Sequence, residues 1–174
     1  VTLLGVVLAG GRSRRFGSDK AAALLDARSL LEHAVASLTP HVREIVVAGR
    51  SDPRWCSVDD APQPGLGPLG GICGALRHAR VRGHAAILCV PCDMPRLPPG
   101  LLALLAHANG AAYTAQAPVI ARWPVTELDR LEEHMAADGD RALTRWARSI
   151  GAQAIAWPEP LANINRPADL AALS

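Results

Sequence analysis

The segment Leu8-Ala9-Gly10-Gly11-Arg12-Ser13-Arg14-Arg15-Phe16-Gly17-Ser18-Asp19-Lys20 gathers the residue types that hold phosphate. The paired glycines Gly10 and Gly11 let the backbone approach a ligand closely and expose its N–H groups. Arg12, Arg14, Arg15 and Lys20 surround the turn, so the ligand it suits is an anion. The apolar run Leu3 to Leu8 reads as a buried strand that leads into this turn. A strand, a glycine turn and spaced cations together point to phosphate binding, more than to a surface turn with solvated arginines.

Three further segments carry candidate chemistry. Asp93, in Pro91-Cys92-Asp93-Met94-Pro95, is a single carboxylate delivered at the end of an apolar strand. Magnesium prefers oxygen ligands and often takes one or two carboxylates plus substrate phosphates, so Asp93 suits a Mg2+ ligand. A turn or helix cap is the other use of Asp near Pro, and the phosphate loop at a neighbouring strand end favours the metal. Gly65-Leu66-Gly67-Pro68-Leu69-Gly70-Gly71 opens a helix, and Gly67 and Gly71 leave room for a flat ligand or a phosphate; a flexible surface loop is the alternative. Asp60 precedes it and could accept two N–H bonds from a guanine edge, bind a ribose hydroxyl or cap a turn. Asn163 and Asn165, one residue apart, point to the same side if extended. They could read a polar heterocycle, help to place phosphate, or serve turn and capping chemistry.

The elements that must position these residues alternate between strand and helix. Strands are expected at Leu3–Leu8, Glu44–Ala48, Ala85–Val90, Ala117–Ala121 and Gln153–Ala156. Ser29-Leu30-Leu31-Glu32 is a capping box, so a helix should run from Leu30 to Leu38 and end before Pro40. Further helices are expected from Gly71 to about Arg80, over Pro98–Ala108, Val125–Ala137 and Asp140–Ser149, and at the end over Pro167–Leu173. Such alternation implies an α/β fold, a mainly parallel open sheet with helices on both faces. Ligands of such sheets sit at the carboxyl ends of the strands, near a switch in strand order.

The chain has 174 residues, which suits one domain spanning 1–174. Nearly half the residues are apolar and the formal net charge is +2, so no bulk signal points to nucleic acid or membrane. No apolar run is as long as a membrane span and no signal peptide stands out, which makes the cytoplasm the expected location. Cys89-Val90-Pro91-Cys92 has C-x-x-C spacing, but it ends a strand, lacks a second ligand pair, and reads as reduced, mostly buried thiols like Cys56 and Cys73. The six dispersed histidines read as surface or core residues, not ligands.

Neither of two familiar phosphate loops fits: Gly10-Gly11 lacks the G-x-G-x-x-G spacing, and Gly17 is not followed by Lys-Ser/Thr. The pattern L-A-G-G-x-x-x-R-x-G-x-x-K, unbroken from Leu8 to Lys20, resembles nucleotidyltransferases that move a nucleoside monophosphate onto a phosphorylated acceptor. With Gly67-Pro68-Leu69-Gly70-Gly71-Ile72, Cys92-Asp93-Met94-Pro95, Leu97-Pro98-Pro99 and Asn163-Ile164-Asn165, the chain resembles the molybdenum cofactor guanylyltransferase family. The resemblance implies a Rossmann-like nucleotidyltransferase fold and transfer of GMP from MgGTP to molybdopterin, with pyrophosphate released. It implies that Leu8, Ala9, Gly10 and Gly11 line the nucleotide, with Gly67, Gly71 and Asp60. Lys20 would meet the phosphates, with Arg12 or Arg15 beside it as charge stabilisers. Asp93 would be the Mg2+ ligand, and Asn163 and Asn165 would lie near the pterin. Leu-Ala-Gly-Gly is the form associated with GTP users. The partners implied are GTP and molybdopterin, with room for transient contact with molybdoenzymes or other cofactor-synthesis proteins.

The chain departs from the family at Ala48, where an Asn is common, in the short stretch from Gly110 to Ala117, and at Ala117-Pro118-Val119, where a polar residue usually precedes the proline. Two other readings therefore stand beside the first. One is a nucleotidyltransferase for another base or acceptor, such as a cytidylyl-transferring relative or a sugar- or phosphometabolite enzyme. The other is a non-catalytic GTP-binding accessory protein.

Overall fold

Strand β1 (Leu3–Leu8) is buried on both faces, which is why its sequence is apolar without alternation. The computed structural model describes residues 2–10, 19–138 and 142–173. After β1 come the two-residue strands β2 (Leu24–Leu25) and β3 (Arg28–Ser29), helix α1 (Leu30–Leu38), β4 (Glu44–Ala48), β5 (Cys56–Val58) and helix α2 (Pro68–Arg82). Then follow β6 (Ala86–Pro91), α3 (Pro99–Ala106), β7 (Ala112–Thr114), β8 (Ala121–Pro124), α4 (Leu128–Asp138), α5 (Leu143–Ser149), β9 (Gln153–Ile155) and α6 (Pro167–Leu173).

The main sheet has the order β5-β4-β1-β6-β8-β7-β9. β1 pairs in parallel with β4 and β6, β4 with β5, and β7 with β9; β8 alone runs against its neighbours. This is the expected mainly parallel open sheet. The chain leaves β1 towards β4 and β5 on one side and returns to β6 on the other, so the order switches between β1 and β6. A crevice at such a switch is where open α/β sheets bind ligands.

Two apolar layers cover the sheet. Leu4 and Val6 pack with Leu69, Ile72 and Leu76 of α2, Leu131 of α4 and Trp146 of α5. Val7 packs on the other face with Leu31 and Leu38 of α1 and Leu101 and Leu105 of α3. Trp123 and Trp146 are fully buried and their rings meet at 4.7 Å between centroids. Helix α1 opens with the capping box foreseen: Ser29 Oγ accepts from the Glu32 amide at 3.2 Å, and Glu32 Oε2 accepts from the Ser29 amide at 2.8 Å. Helix α2 starts at Pro68, after Gly67, and ends in left-handed Gly83.

The structure departs from the sequence reading around Pro118. Ala117 to Ile120 form a turn rather than a strand, held by the Ile120 amide on the Ala117 carbonyl at 2.8 Å and by Thr114 Oγ1 on the same oxygen at 2.7 Å. Pro118 has no N–H to give a ladder, and the strands β7 and β8 lie on either side of this turn. The stretch from Gly110 to Ala117 therefore still contributes a strand, though a short one. Helix α4 follows a 3-10 turn at Val125–Glu127, so it begins later than expected. The start foreseen for α5, at Asp140, lies outside the described residues.

Beyond β4 the chain turns at Gly49, whose φ is +84°. A Cβ there would lie 2.5 Å from Gly10 Cα, so strand end and glycine loop touch backbone to backbone. Gly83 has a similar φ of +74° but opens on free space. Gly49→Ala should therefore cost more than Gly83→Ala in urea unfolding, with strain alone accounting for about 1–3 kcal/mol in each. Equal losses would mean that the contact with Gly10 relaxes freely.

Candidate functional site

Leu8 is level with Ala48 on one side and Pro91 on the other. The ladders run one step further, with the Ala9 amide on the Ala48 carbonyl at 3.0 Å and the Cys92 amide on the Leu8 carbonyl at 3.2 Å. The segments that follow β1 and β6 thus leave the sheet side by side. Lys20 and Asp93 meet there: Lys20 Nζ donates to Asp93 Oδ2 at 3.0 Å. The side chains are 12% and 28% exposed, so the carboxylate keeps access to a ligand while the ammonium is mostly covered.

Leu8 and Ala9 are half-buried at this edge and Gly10 is exposed. Gly11, Arg12 and Arg15 lie outside the described residues. Lys20 opens a 3-10 turn, Lys20–Ala22, which Asp19 caps through Oδ1 on the Ala21 amide at 3.2 Å. Gly71 lies in the first turns of α2, where an added Cβ would meet Leu8 Cδ2 at 3.1 Å, Ala48 Cβ at 3.4 Å and Asp60 Oδ1 at 3.6 Å. That places Gly71 and Asp60 against the ends of β1 and β4. Asp60 also accepts from the Gly65 amide through Oδ2 at 3.2 Å, so it braces the loop before α2. Gly67 is exposed and has nothing within 4 Å of an added Cβ.

The C-terminal segment arrives at the same edge. The Ile164 amide donates to the Asp93 carbonyl at 2.9 Å. Ile164 itself is fully buried in a small cluster with Leu25 and Leu30, against which Leu170 packs. Burying the central residue leaves Asn163 and Asn165 exposed on either side of it. The structure therefore brings Lys20, Asp93 and the two asparagines to one crevice, with Asp60 and Gly71 at its β4 side.

Two residues in this neighbourhood, Arg50 and Asp169, escaped the sequence reading. Arg50, just after Gly49, pairs with Asp19, Nη1 to Oδ1 at 2.7 Å. Asp169, in the first turn of α6, accepts from the Asn165 and Arg166 amides, each at 2.7 Å. An acidic residue three places into a helix is a capping signal that could have revealed Asp169. Gly49 and Arg50 at the end of an apolar strand were the sequence signal for the other pair.

The C-x-x-C spacing carries no redox pair. Cys89 packs on one face of the sheet and Cys92 on the other. Burial, aided by the Asp93 carboxylate, pushes the Cys92 thiol up to about 11, and burial likewise pushes Cys73 up to about 11. Both stay protonated at neutral pH, as expected of structural thiols. Cys56, in contrast, is exposed.

An open cavity of about 1030 Å³ lies at the opposite ends of the strands, lined by Leu3, Pro124 and Arg122 among others. Buried Arg122 donates through Nη1 to the Gly110 carbonyl at 2.5 Å, just beyond the C-terminus of α3. Arg122 Nε is buried without a hydrogen-bond partner among the described residues, and the chemistry-bearing side chains converge elsewhere.

Such a crevice, with a glycine loop, a cation and a carboxylate at the switch of a parallel sheet, defines a nucleotide-handling α/β protein. The chain belongs to the MobA-like NTP transferase family, whose domain model matches residues 5–154, and it is a nucleotidyltransferase. It is 34% identical over 180 residues to the molybdenum cofactor guanylyltransferase of Acidiphilium cryptum, covering 97% of this chain and 92% of that one. In fold it is similar to the molybdopterin-guanine dinucleotide biosynthesis protein A of Archaeoglobus fulgidus, with a TM-score of 0.76, 22% identity, and coverage of 98% of this chain and 96% of that chain. It is also similar to the 2-C-methyl-D-erythritol 4-phosphate cytidylyltransferase of Thermus thermophilus, with a TM-score of 0.71, 17% identity, and coverage of 97% and 95%. Among the described residues, no helix is long and apolar enough to cross a membrane.

The amides of Asn165 and Arg166 hold the Asp169 carboxyl below its ordinary value, with the charges of Arg166 and Lys20 adding to the effect. A carboxylate with a lowered folded pKa stabilises the fold at pH above its unfolded value, about 3.9, and loses that contribution as pH falls through the lowered value. The cap of α6 should therefore stay intact through neutral and mildly acidic pH. In an NMR titration the Asn165 and Arg166 amide protons should shift together, with an apparent pKa below that of an ordinary Asp. A shared midpoint at or above the ordinary Asp value would rule out the cap.

Proposed function

We propose that the protein transfers GMP from GTP to molybdopterin, forming molybdopterin guanine dinucleotide and releasing pyrophosphate. The observation that carries this reading is the Lys20–Asp93 pair at the β1–β6 crevice, directly beyond the glycine loop. Family membership and the name of the Acidiphilium relative support the choice of nucleotide and acceptor.

In this reaction a terminal phosphate oxygen of the pterin attacks the α-phosphorus of GTP. The new O–P bond forms as the α–β phosphoanhydride bond breaks, and pyrophosphate leaves. The protein's task is positioning and charge stabilisation. Leu8, Ala9, Gly10 and Gly11 line the nucleotide, with Gly67 and Gly71 at the start of α2. Asp60 accepts from the guanine edge. Lys20 meets the phosphates and stabilises the charge that grows on them, with Arg12 and Arg15 as further cations. Asn163 and Asn165 face the acceptor, and transient handover to molybdoenzymes or other cofactor-synthesis proteins follows from a product that is itself a cofactor.

The donor set around Asp93 fits Mg2+. One accessible carboxylate stands at the strand end, and the described residues form no cluster of three or more metal-binding side chains. Mg2+ is commonly held by one or two carboxylates and completes its shell with phosphate and water, whereas zinc sites need more protein ligands. Asp93 would hold it, and Mg2+ would supply positive charge to the reacting and leaving phosphates. Lys20, released from the carboxylate, would then be free to pair with phosphate oxygens.

Lys20→Ala should slow turnover by roughly 10²-fold or more, the scale of losing one electrostatic stabiliser. Near-normal turnover in that variant would take Lys20 out of the reaction. Asp93→Asn should fold, by circular dichroism, yet lose its magnesium-dependent activity; an unchanged magnesium response would reassign the metal. The reading as a whole is tested by pyrophosphate release with loaded molybdopterin and Mg2+, run in parallel with GTP, CTP, ATP and UTP. Release with GTP alone is the expected result. Release with CTP instead would keep the reaction and change the base. Tight GTP binding without release would mark a binding protein.

A further inference from the structure

We propose that Arg50 is a positioning residue for the reaction, acting through Asp19 on Lys20; the inference rests on the nucleotidyl-transfer reading above. Consecutive residues at the end of β4 grip both flanks of the glycine loop. Gly49 touches Gly10, where its own Cβ would fall 2.5 Å from Gly10 Cα, and Arg50 Nη1 holds Asp19 Oδ1 at 2.7 Å. The same Asp19 oxygen accepts from the Ala21 amide at 3.2 Å, and the Asp19 carbonyl accepts from the Ala22 amide at 3.2 Å. Asp19 is thus the cap of the turn whose first residue is Lys20. The chain of contacts runs from Arg50 to Asp19, to the 3-10 turn, to Lys20 and finally to Asp93.

The energetics favour a role in position over one in stability. The Asp19 side chain is 55% exposed and that of Arg50 24%, and pairs so placed contribute little to folding. The guanidinium Nε is buried and, among the described residues, has no hydrogen-bond partner, so the Nη1 bond to Asp19 is what directs the group. A planar fork fixes direction in a way that a swinging lysine does not. Displacing a catalytic group by about 1 Å can cost 10²-fold in rate, so a clasp two contacts away is enough to govern Lys20.

The test combines steady-state kinetics with hydrogen exchange in the protein without substrate. Arg50→Gln should lower kcat by about 10- to 100-fold while KM for GTP stays within about twofold. Asp19→Asn should do the same, the double variant should be no slower than either, and Arg50→Lys should recover part of the rate. In a Lys20→Ala background, Arg50→Gln should add no further loss. The Ala21 amide should exchange faster in both Arg50→Gln and Asp19→Asn. Independent, multiplying losses in the Lys20→Ala background would overturn the proposal, because Arg50 would then act on substrate directly. So would an unchanged Ala21 amide together with unchanged turnover. If the wild-type protein releases no pyrophosphate with any nucleotide, the functional reading has failed, while the Ala21 amide still reports on the clasp.

Discussion

Everything in the crevice hangs on the place of β1 between two parallel partners. Its side chains fill both apolar layers, Val6 into one and Val7 into the other, so a slip of one residue would exchange them. That fixes Leu8 level with Ala48 and Pro91. Three chain segments then leave the sheet at one height, with backbone bonds from Ala9 and Cys92 guiding their first steps. Lys20 and Asp93, 73 residues apart in sequence, meet because their strands are held in this register. The functional geometry is a consequence of core packing before any ligand is considered.

The ion pair at the centre has a second consequence. A mostly covered ammonium beside a partly open carboxylate makes the pair itself neutral. On the proposed reading, a polyanion arriving with its counter-cation offers each group a new partner of the right sign. Neither charge need then be left alone, which avoids the large cost of an unpaired, partly buried charge. A site built from two cations alone would lack that balance.

Much of this was legible in the sequence, for reasons that differ from element to element. β1, α1 and β4 have the foreseen limits because an unbroken apolar run, a capping box and a bounding proline are all local signals. The β2–β3 hairpin was not, since its turn carries Asp26 and Ala27 at positive φ where the usual marker is a glycine. β5 is a three-residue edge strand, too short to show a period. β7 and β8 flank Pro118, and the apolar residues around that proline drew the expected strand onto the turn itself. In the site, Lys20 and Asp93 announce themselves by type and by following a strand. Arg50 does not, because its meaning lies in Asp19, a partner 31 residues away that only the fold supplies; Asp169 shows only through its place three residues into α6, where it caps the Asn165 and Arg166 amides.

The fold by itself does not choose the reaction's base or acceptor. Solved structures named for a guanine dinucleotide pathway and for a cytidylyltransferase superpose on this chain almost equally, at TM-scores of 0.76 and 0.71. Here the C-terminal segment matters most. Ile164 is locked into a cluster with Leu25 and Leu30, and its amide is bonded to the Asp93 carbonyl. On the proposed reading, the residue that would hold Mg2+ and the segment that meets the acceptor are therefore joined through one backbone bond. Holding both substrates from a common rigid point is the condition for turning a bimolecular attack into an oriented one. A change of acceptor could be accommodated at Asn163 and Asn165 without disturbing Lys20 or Asp93, because the buried Ile164 between the asparagines carries the structural load.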